Sequence, residues 1–591
     1  MVKKDIFILG INDGHNASAC ILKNGEIIAC VSEERFNRIK NYLGFPKESV
    51  NYCLNFTTIG PKDLDLVVLS WRNPITLTQY EKNKKSAGSK VILDKLRPII
   101  FKGFQSVELY IPLLSRLYDK LYGSYSHLIW PYLNSVRRNI VSEYIGVEKE
   151  KVILIDHHLA HAYAAYYSGQ QRDPALVFII DGWGDDSCAT LSVIKNGIFQ
   201  KVSLTPNFNS LGMLYSAITE YLGMKPLEHE YKVMGLAPYA SIDQINKTYE
   251  ILKNLIWLDG LRFKTKFSSK LFLQFFRNAL VGHRFDGVAG ATQRIAEILL
   301  LEWIKKGIEM FKIDSIFCGG GVFLNVKANM LINELKEVKY NYFCPSPGDE
   351  STPIGAAYYG YKLAAEKNSV PFTPRPLANL YLGPEYAEDQ IKKTLDESKI
   401  WEKGYKIRKS GDIEKEIAKL LKEEKIIARF SGRMEWGARA LGNRSILAHP
   451  SNYDAIRGIN EKIKSRDFWM PFAGTVLEER VNDYLYNVKN TPAPFMILAF
   501  NTKPLARREL KAIIHPYDFT IRPQILDKDT NPSYRKIIDI FHNITGIGAV
   551  LNTSFNLHGD PMVCSPQDAL YTLTSSGLDY LVLENFIIEK I

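Results

Sequence analysis

Two stretches of the chain share one pattern, INDGHNASACILKNGEIIA at residues 11–29 and IIDGWGDDSCATLSVIKNGIFQ at residues 179–200. Each has an apolar strand, an Asp-Gly pair, a run of small residues, a second apolar strand and a Lys-Asn-Gly turn. Because Asn-Gly is a strong hairpin signal, both are predicted to be β-hairpins. The second is four residues longer between its Asp and its Lys. The likeness is either a chance similarity of hairpins or the trace of a duplicated domain whose halves face a cleft.

A third stretch, DSIFCGGGVFLN at residues 314–325, has an apolar strand that runs into Gly319, Gly320 and Gly321. Three glycines let the backbone approach a ligand closely, with amide groups free to face a phosphate or a nucleoside. Alone, such a run is often only a tight turn. Two Asp-Gly hairpins followed by this strand resemble the order of elements in the actin/hexokinase/heat-shock-chaperone nucleotide-binding superfamily, which implies a duplicated α/β domain.

The chain has 591 residues, a length that indicates two or more domains. Short strand-like runs ending in Gly/Asp turns alternate with longer helical patterns, which favours an α/β fold class. Prolines and polar residues at 367–384 predict a linker. We therefore expect a first domain over 1–374 and a second α/β domain over 375–591. The stretch 74–146 has helix-like apolar spacing and is predicted to be a helical insertion that helps to shape a substrate pocket.

The composition is ordinary for a soluble globular protein, with 46% hydrophobic and 24% charged residues. The net charge is +11, and the basic run at 81–104 is either a solvated helical face or an attraction for an anionic ligand such as a nucleotide. Seven cysteines without a CxxC pair are typical of a reduced cytosolic protein. The sequence has no signal peptide pattern and no uncharged apolar run of about 18 residues, so we expect a cytoplasmic protein.

The stretch DHHLAHAYAAYY at residues 156–167 holds three of the 11 histidines of the chain. Its alanines, leucine and tyrosines favour a helix. On a helix, His157 and His161 share one face and can both bind one ion, whereas His158 points elsewhere. The alternative is a set of buried, hydrogen-bonded histidines. Asp181 and Asp349 both follow apolar strands and can complete a ligand shell, which would suit iron, zinc or manganese better than calcium.

A more specific resemblance rests on several motifs together, HHLAHAYAAYY, IDGWGDD, YKVMGLAPYA, GGGVFLN, PGDESTPIGAA, GINDGHNASACIL and EERFNRIKNYLGFP. They resemble the N-terminal half of the NodU/CmcH family of O-carbamoyltransferases, which is similar to the tRNA threonylcarbamoyl-transfer protein. The resemblance implies that His157, His161, Asp181 and Asp349 hold a divalent metal, most often iron. It also implies that the metal touches the phosphate of a bound acyl-adenylate.

Basic residues cluster in three stretches of the C-terminal half, RMEWGARALGNRSILAHP, INEKIKSRDFWMPFAG and HPYDFTIRPQ. These supply Arg433, Arg439, Arg444, Lys462, Lys464, Arg466 and Arg522. Lys464-x-Arg466 with a distant Ser554-x-Asn556 resembles the KxR…SxN signature of the YrdC-like fold, which makes acyl-adenylates from ATP in the families it resembles. Lys and Arg can neutralise the charge that develops around the α-phosphate, whereas the alternative is a solvated basic surface.

The chain departs from the family pattern at two places. The family's Arg-Pro-Phe-Ala-Pro is replaced by Met-Pro-Phe-Ala-Gly, with Met470 and Gly474 at the ends. Loss of this Arg either alters the recognition of carbamoyl phosphate or removes a peripheral group. The family's His-Val-Asp-Gly-Thr is replaced by His-Pro-Tyr-Asp-Phe-Thr at residues 515–520. We expect a different local turn there, because Phe519 does not readily adopt a positive φ.

These features predict a two-step ATP-dependent O-carbamoyltransferase. In the C-terminal domain carbamoyl phosphate is cleaved to carbamate, which attacks ATP, with Mg²⁺ on the polyphosphate, to give carbamoyl-adenylate. The resemblance implies that the adenylate moves internally to the N-terminal domain, where an acceptor hydroxyl attacks it out of contact with water. The expected acceptor is a small molecule such as a secondary metabolite, an alkaloid or a sugar. We expect no nucleic acid or membrane partner, and a monomer or homodimer.

The predicted catalytic residues are His15, Lys464, Arg466 and Arg522. His15 is the candidate base, or alternatively a turn histidine that caps its own backbone. The predicted residues for binding phosphate and nucleotide are Gly319, Gly320, Gly321, Asn325, Lys232, Arg439, Arg444, Ser554 and Asn556, with a structural role equally open for Lys232.

Two other functions stay open at this point. A tRNA-modifying threonylcarbamoyl transferase is compatible with the net charge, but the sequence has no long basic surface interleaved with aromatic residues. An ATPase or sensor without group transfer is the second, and the adenylating C-terminal domain argues against it.

Overall fold

The computed structural model describes residues 5–72, 131 and 133–591. The basic run at 81–104 lies outside the described residues, as does most of the insertion predicted at 74–146. At the end of that insertion, residues 133–145 are helical. None of the helices in the described residues combines the length and apolarity needed to span a lipid bilayer.

The chain divides into two compact units. The described residues of the first unit fall within 1–27, 43–46 and 57–376, and those of the second within 28–42, 47–56 and 377–591. The sequence did not indicate that segments 28–42 and 47–56 belong with the C-terminal half. The domain boundary at 374/375 stays a prediction.

Two five-stranded sheets with the same topology form the first part of the fold. The strands of the first sheet are β1 (Phe7–Asn12), β2 (Ser18–Lys23), β3 (Glu26–Ser32), β4 (Leu66–Leu69) and β5 (Val152–Leu154), in the order β3-β2-β1-β4-β5. The β1–β2 pair is antiparallel, and the β1–β4 and β4–β5 pairs are parallel. The fully buried sequence FILGIN of β1 is the centre of this sheet.

The second sheet repeats this order. The next strands of the chain are β6 (Ala175–Ile180), β7 (Ser187–Lys195), β8 (Ile198–Pro206), the separate hairpin β9 (Ile256–Asp259) and β10 (Arg262–Thr265), then β11 (Ser315–Gly319) and β12 (Tyr340–Phe343). The sheet order is β8-β7-β6-β11-β12, with the same sequence of antiparallel and parallel pairs. Both predicted hairpins are therefore confirmed, and the matching topologies show a duplicated α/β domain rather than a chance likeness.

Helices connect and cover these strands. In chain order they are α1 (Glu34–Asn37), α2 (Lys47–Thr57), α3 (133–145), α4 (His157–Tyr167), α5 (Leu211–Tyr221), α6 (Glu230–Leu236), α7 (Ile242–Leu252), α8 (Phe272–Ala279), α9 (Phe285–Phe311), α10 (Val326–Glu334) and α11 (Thr352–Lys367). Helix α11 packs on β1, α4 packs on β11, and the two helices pack on each other between the sheets.

Close backbone contacts set the positions of α4 and α11. A Cβ atom at Gly355 would lie 1.7 Å from the carbonyl oxygen of Ala160, and one at Gly10 would lie 2.0 Å from that of Pro353. Glycine is required at both positions because any side chain would collide with backbone. Helix α4 begins where the Asp156 carboxylate accepts the Leu159 N–H at 2.9 Å, a typical N-cap. These contacts fix the helix that carries the histidine cluster, and the helix predicted there is confirmed.

The second unit is built on an eight-stranded mixed sheet of order β13-β22-β21-β14-β15-β20-β16-β19. Its strands, with the small pair β17 and β18, are β13 (Tyr405–Lys409), β14 (Ile427–Phe430), β15 (Arg444–Ala448), β16 (Ala473–Leu477), β17 (Phe500–Asn501), β18 (Thr520–Ile521), β19 (Pro523–Leu526), β20 (Ala549–Ser554), β21 (Tyr580–Leu583) and β22 (Phe586–Lys590). Its helices are α12 (Glu388–Ser398), α13 (Ile413–Lys422), α14 (Tyr453–Ile459), α15 (Val481–Tyr484), α16 (Pro504–Glu509), α17 (Pro532–Thr545) and α18 (Pro566–Thr574).

Helices α13 and α17 pack together and bury their apolar faces on this sheet. Leu421, Ile537, Phe541 and Val550 are fully buried in the resulting core. The core holds strands β15 and β20 side by side in antiparallel register, with Ser445 opposite Ser554. The ends of these two strands therefore place Arg444 and the segment from Ser554 to Asn556 in neighbouring positions.

Candidate functional site

Four side chains from three separate elements converge in the first unit. His157 and His161 lie on one face of α4, Asp181 follows β6, and Asp349 begins the turn before α11. One ligand atom of each residue lies within 4.8 Å of every other. The Nε2 atoms of the two histidines are 3.1 Å apart, and His161 Nε2 is 3.1 Å from Asp181 Oδ2. The remaining histidine–carboxylate pairs are 3.4 or 3.5 Å apart.

This arrangement fits a metal ion. Two ligands held about 2.0–2.1 Å from an ion in tetrahedral geometry lie about 3.3–3.4 Å from each other. The observed separations between imidazole nitrogens and carboxylate oxygens are close to this spacing. Two imidazoles and two carboxylates suit iron, zinc or manganese. The structure thus brings the four predicted metal ligands together, and their binding of a metal stays a prediction.

Charge and burial act in opposite directions on these four groups. Burial alone would lower the pKa of His157, but the carboxylates of Asp349 and Asp181 outweigh it and raise this pKa to about 10. The pKa of Asp181 would rise with burial, yet hydrogen bonds from both imidazoles hold it well below its ordinary value. The cluster therefore holds protons that a metal ion would have to displace.

His158 faces away from the cluster. Its Nδ1 lies 3.2 Å from the hydroxyl of Thr190. Burial, with the charges of His157 and His161, lowers the pKa of His158 to about 3, so its ring is neutral. The sequence prediction that His158 points elsewhere is confirmed. His161 has a hydrogen-bonding partner behind the cluster, because its Nδ1 lies 3.2 Å from Ser351 Oγ, a contact that orients a ligand ring.

The glycine run passes beside the cluster. Gly320 has φ +92°, and a Cβ there would lie 2.3 Å from the carbonyl oxygen of Ile180. A Cβ at Gly321 would lie 3.0 Å from Asp181 Oδ1, whereas one at Gly319 would meet α4 at His161 O, 3.3 Å away. These glycines bring bare backbone next to a candidate metal ligand. The side chain of Asn325 caps α10 by accepting the Ala328 N–H, and its binding of the nucleotide stays a prediction.

His15 lies in the loop between β1 and β2 and is half-buried. Burial raises the pKa values of the nearby carboxyls of Glu230 and Glu350, and the charge of His15 acts on both in the opposite direction. His15 therefore sits close to two acids, one of which directly follows Asp349 in the chain. Lys232 is half-buried on α6, the helix that begins with Glu230.

In the second unit the structure brings Lys464 and the distant Ser554 and Asn556 together. Lys464 lies at the end of a π-helical turn, Asn460–Lys464, and is almost completely buried. Its ammonium group donates to Asn556 Oδ1 at 2.7 Å, to Asn556 O at 3.1 Å and to Ser554 Oγ at 3.2 Å. Arg466 donates to Thr553 Oγ1 at 3.0 Å. Isolated π-turns of this kind are frequent at functional sites.

Other basic groups surround Lys464. Burial, followed by the charges of Arg466 and Lys40, lowers the pKa of Lys464 well below its ordinary value. Burial, followed by the charges of Arg439 and Arg466, lowers the pKa of Arg522 in the same way. Such a group of neighbouring cations is suited to binding an anion, which would remove their mutual repulsion. We call these five residues, Lys40, Arg439, Lys464, Arg466 and Arg522, the basic cluster.

The side chains of Arg444 and Arg433 make other contacts. The Arg444 guanidinium is completely buried, donates to the backbone carbonyls of Ser431, Gly432 and Pro384, and lies 3.6 Å from the ring centroid of Phe430. Arg433 donates to backbone carbonyls, including that of Leu382. The structure thus gives Arg444 a position in the fold rather than in the basic cluster.

The reason given for expecting a different turn at residues 515–520 was wrong. Phe519 adopts φ +56°, the left-handed conformation that we expected this residue to avoid. Local contacts stabilise it. The Phe519 N–H donates to His515 O at 3.0 Å, Thr502 Oγ1 donates to Phe519 O at 2.5 Å, and the Arg507 guanidinium lies 4.4 Å from the ring centroid. Packing explains the glycine at position 474, because a Cβ there would lie 2.3 Å from Ile513 Cδ1.

Several residues of the two sites carried no functional prediction. Lys40 lies in the motif EERFNRIKNYLGFP, but nothing in the sequence indicated that this segment belongs to the second unit. It is anchored there because Arg35 donates to Gly437 O at 2.8 Å and Arg38 to Met562 O and Pro561 O, both at 2.7 Å. Glu435 holds the loop that carries Arg439, since its Oε1 accepts three backbone N–H groups between 441 and 444.

Comparison with known proteins shows the family to which the chain belongs. Residues 7–358 match the family model described as Carbamoyltransferase N-terminus, and residues 418–590 match Carbamoyltransferase C-terminus. The chain is 33% identical to the protein MJ1051 of Methanocaldococcus jannaschii over 99% of this chain and 100% of that one. It is 28% identical to nodulation protein NolNO of Sinorhizobium fredii over 98% of this chain and 79% of that one.

A third relative, sll1178 of Synechocystis, is 31% identical over 99% of this chain and 96% of its own length. The two family models together span both units of the fold, including the four converging residues and all five residues of the basic cluster. The chain therefore belongs to the carbamoyltransferase family and is a carbamoyltransferase.

Proposed function

We propose that the protein is an ATP-dependent O-carbamoyltransferase that works in two steps at two sites. The observation that carries this proposal is that one carbamoyltransferase chain contains four converging residues that could hold a metal ion in its first unit and a basic cluster around Lys464 in its second. The two sites differ in charge and chemistry. The basic cluster of the second unit suits the formation of an anionic adenylate. The four converging residues of the first unit suit the transfer of its carbamoyl group.

The first step is assigned to the basic cluster. Water hydrolyses carbamoyl phosphate to carbamate and inorganic phosphate, and a carbamate oxygen then attacks the α-phosphorus of ATP. Carbamoyl-adenylate forms and pyrophosphate leaves. Lys464, Arg466 and Arg522 would hold the phosphoryl oxygens as negative charge develops on them, an effect that is strong where water is excluded. Ser554 and Asn556 orient the Lys464 ammonium through the three hydrogen bonds described above.

The second step is assigned to the first unit. The acceptor hydroxyl attacks the carbamoyl carbon, the bond to the adenylate phosphate oxygen breaks, and a carbamate ester and AMP are the products. His15 is the candidate for accepting the hydroxyl proton, and Glu230 and Glu350 beside it would stabilise the resulting charge. The glycine run brings bare backbone beside Asp181, where its amide groups could face the nucleotide phosphate.

A divalent ion held by His157, His161, Asp181 and Asp349, most readily iron, zinc or manganese, would supply positive charge beside the adenylate phosphate. We propose a small hydroxylated metabolite, an alkaloid or a sugar as acceptor. The protein's own residues would bind and orient this acceptor. They would also exclude water, which would otherwise hydrolyse the acyl-adenylate.

Exchange of labelled pyrophosphate into ATP tests the first step without knowledge of the acceptor. We expect exchange that requires both the enzyme and carbamoyl phosphate. A panel of hydroxylated compounds, analysed by mass spectrometry for the addition of one carbamoyl group, tests the second. Absence of carbamoyl phosphate-dependent exchange in protein that is folded and binds ATP would contradict the proposal.

A further inference from the structure

A buried arginine connects helix α3 to the candidate metal site formed by His157, His161, Asp181 and Asp349. Arg137 is completely buried within the first unit. Its Nε donates to Asp13 Oδ2 at 2.6 Å, and its Nη2 pairs with Asp13 Oδ1. Its Nη1 donates to the carbonyl oxygen of Trp71, also at 2.6 Å. The guanidinium thus ties α3 both to the first Asp-Gly hairpin and to the chain that follows β4.

Trp71 carries the connection to the metal ligands. Its ring is stacked on the imidazole of His157, with ring centroids 3.6 Å apart and planes inclined by 26°. Its Nε1 donates to Asn12 Oδ1 at 3.0 Å. Asn12 in turn donates to the carbonyl oxygen of Asp349 at 3.2 Å. Two of the four candidate ligands are therefore reached from Arg137 through one or two side chains.

The backbone of His157 is held from the other side. Asp185 accepts the His157 N–H at 2.8 Å and the Arg72 N–H at 3.1 Å. His157 is therefore fixed at its backbone by Asp185, whereas the plane of its ring is fixed by Trp71. Arg137 holds the Trp71 backbone, and the Trp71 ring is stacked on the His157 imidazole. A change at Arg137 would therefore alter the orientation of the His157 ring, which presents Nε2 to the cluster.

We propose that Arg137 is a positioning residue that sets the orientation of the His157 imidazole through Trp71, so that helix α3 is coupled to the geometry of the metal cluster. The inference rests on the proposed metal site. The positioning depends on the planar shape of the guanidinium, which makes three hydrogen bonds in a fixed geometry, and not on its charge alone. A lysine would keep the charge and lose the fork. Groups that orient a metal-binding histidine typically change metal affinity about 10–100-fold when removed.

Titration of the full-length, metal-free protein with Co²⁺ tests this proposal through the absorption spectrum of the bound ion. We expect Arg137→Lys to weaken Co²⁺ binding about 10-fold or more and to shift the visible spectrum, with the neighbouring Arg138→Met as a matched control that binds as the wild type does. Trp71→Ala should reproduce the defect, and Trp71→Phe, which keeps a ring on His157, should restore most of the affinity.

The double variant Arg137→Lys/Trp71→Ala should be no weaker than Trp71→Ala alone, because both changes act through the same stack. Unchanged affinity and spectrum in folded Arg137→Lys would overturn the inference. If Arg137→Lys does not fold, equal Co²⁺ binding by Trp71→Ala and Trp71→Phe would overturn it instead. Failure of the wild type to bind Co²⁺ would count against the metal site itself, a result distinct from either of these.

Discussion

The Nε2 atoms of His157 and His161 lie 3.1 Å apart on one face of α4, with carboxylate oxygens of Asp181 and Asp349 within 3.5 Å of both. Nitrogen atoms of two imidazoles face each other at this distance when they share a proton or a metal ion. The four groups come from parts of the chain as distant as residues 157 and 349, and two helices packed on duplicated sheets hold them together.

Removal of one ligand should abolish tight metal binding while leaving the fold intact. Asp181→Asn retains the size of the side chain but removes its charge, so we expect loss of at least 100-fold in Co²⁺ affinity, with Asp186→Asn as the control beside it. Equilibrium titration with a competing chelator measures the effect. Wild-type affinity in Asp181→Asn would show that this carboxylate is not a ligand.

Metal affinity should depend on pH. The pKa of His157 in the metal-free protein is raised to about 10, so its imidazole is protonated at neutral pH and must lose this proton to bind a metal. Lower pH therefore favours the protonated form and weakens binding. We expect the apparent association constant to rise about tenfold per pH unit for each proton displaced between pH 6 and 8. Calorimetry in two buffers of different ionisation enthalpy measures the released protons, and a pH-independent affinity would argue against displacement.

Lys464 is expected to bind an anion, and without the anion its burial is expected to lower the stability of the protein. Its pKa lies well below the ordinary value, so it binds fewer protons in the folded than in the unfolded protein, and its contribution to stability falls as pH decreases through the intervening range. We predict that Lys464→Met leaves the free energy of unfolding unchanged or raises it. Pyrophosphate at 100 times its dissociation constant should stabilise the wild type by about 2.7 kcal/mol and Lys464→Met far less.

Lys462→Met is the matched control for this experiment, because Lys462 lies on the same turn but pairs with Asp579. It should retain the stabilisation by pyrophosphate. Equal stabilisation of Lys464→Met and wild type in thermal melts would place the anion elsewhere.

Gly320 should not tolerate a side chain. Gly320→Ala would place a Cβ 2.3 Å from the carbonyl oxygen of Ile180 in a conformation with φ +92°. The backbone conformation alone costs about 1–3 kcal/mol, and the collision adds to it. Gly260→Ala is the control, since Gly260 also has positive φ but has no atom within 4 Å of its Cβ position. Denaturant unfolding should show a larger loss for Gly320→Ala, and equal losses would show that the loop moves freely aside.

The sequence predicted those features that depend on local pattern or on motifs with a fixed chemistry. The hairpins follow from the Asn-Gly turns, and the shared face of His157 and His161 follows from helical spacing. Asp181 and Asp349, and the pairing of Lys464 with Asn556, were expected from a family resemblance that joins residues far apart in the chain. The structure places these residues together in two groups, one in each unit.

Other features depend on contacts that no local pattern indicates. Lys40 reaches the basic cluster because Arg35 and Arg38 bind backbone carbonyls more than 400 residues away, which neither composition nor periodicity reveals. The left-handed conformation of Phe519 is stabilised by Thr502 and Arg507, which lie outside the motif at residues 515–520. Arg137 stands in a segment without a recognised motif, and only its burial against Asp13 identifies its place in the site.

The division of the reaction between two sites is tested most directly by carbamoyl phosphate-dependent exchange of labelled pyrophosphate into ATP, measured in His157→Ala and Lys464→Met beside the wild type. We predict wild-type exchange in His157→Ala, which keeps the basic cluster, and loss of exchange in Lys464→Met, although both variants fold. Loss of exchange in both folded variants, or its retention in Lys464→Met, would contradict the account.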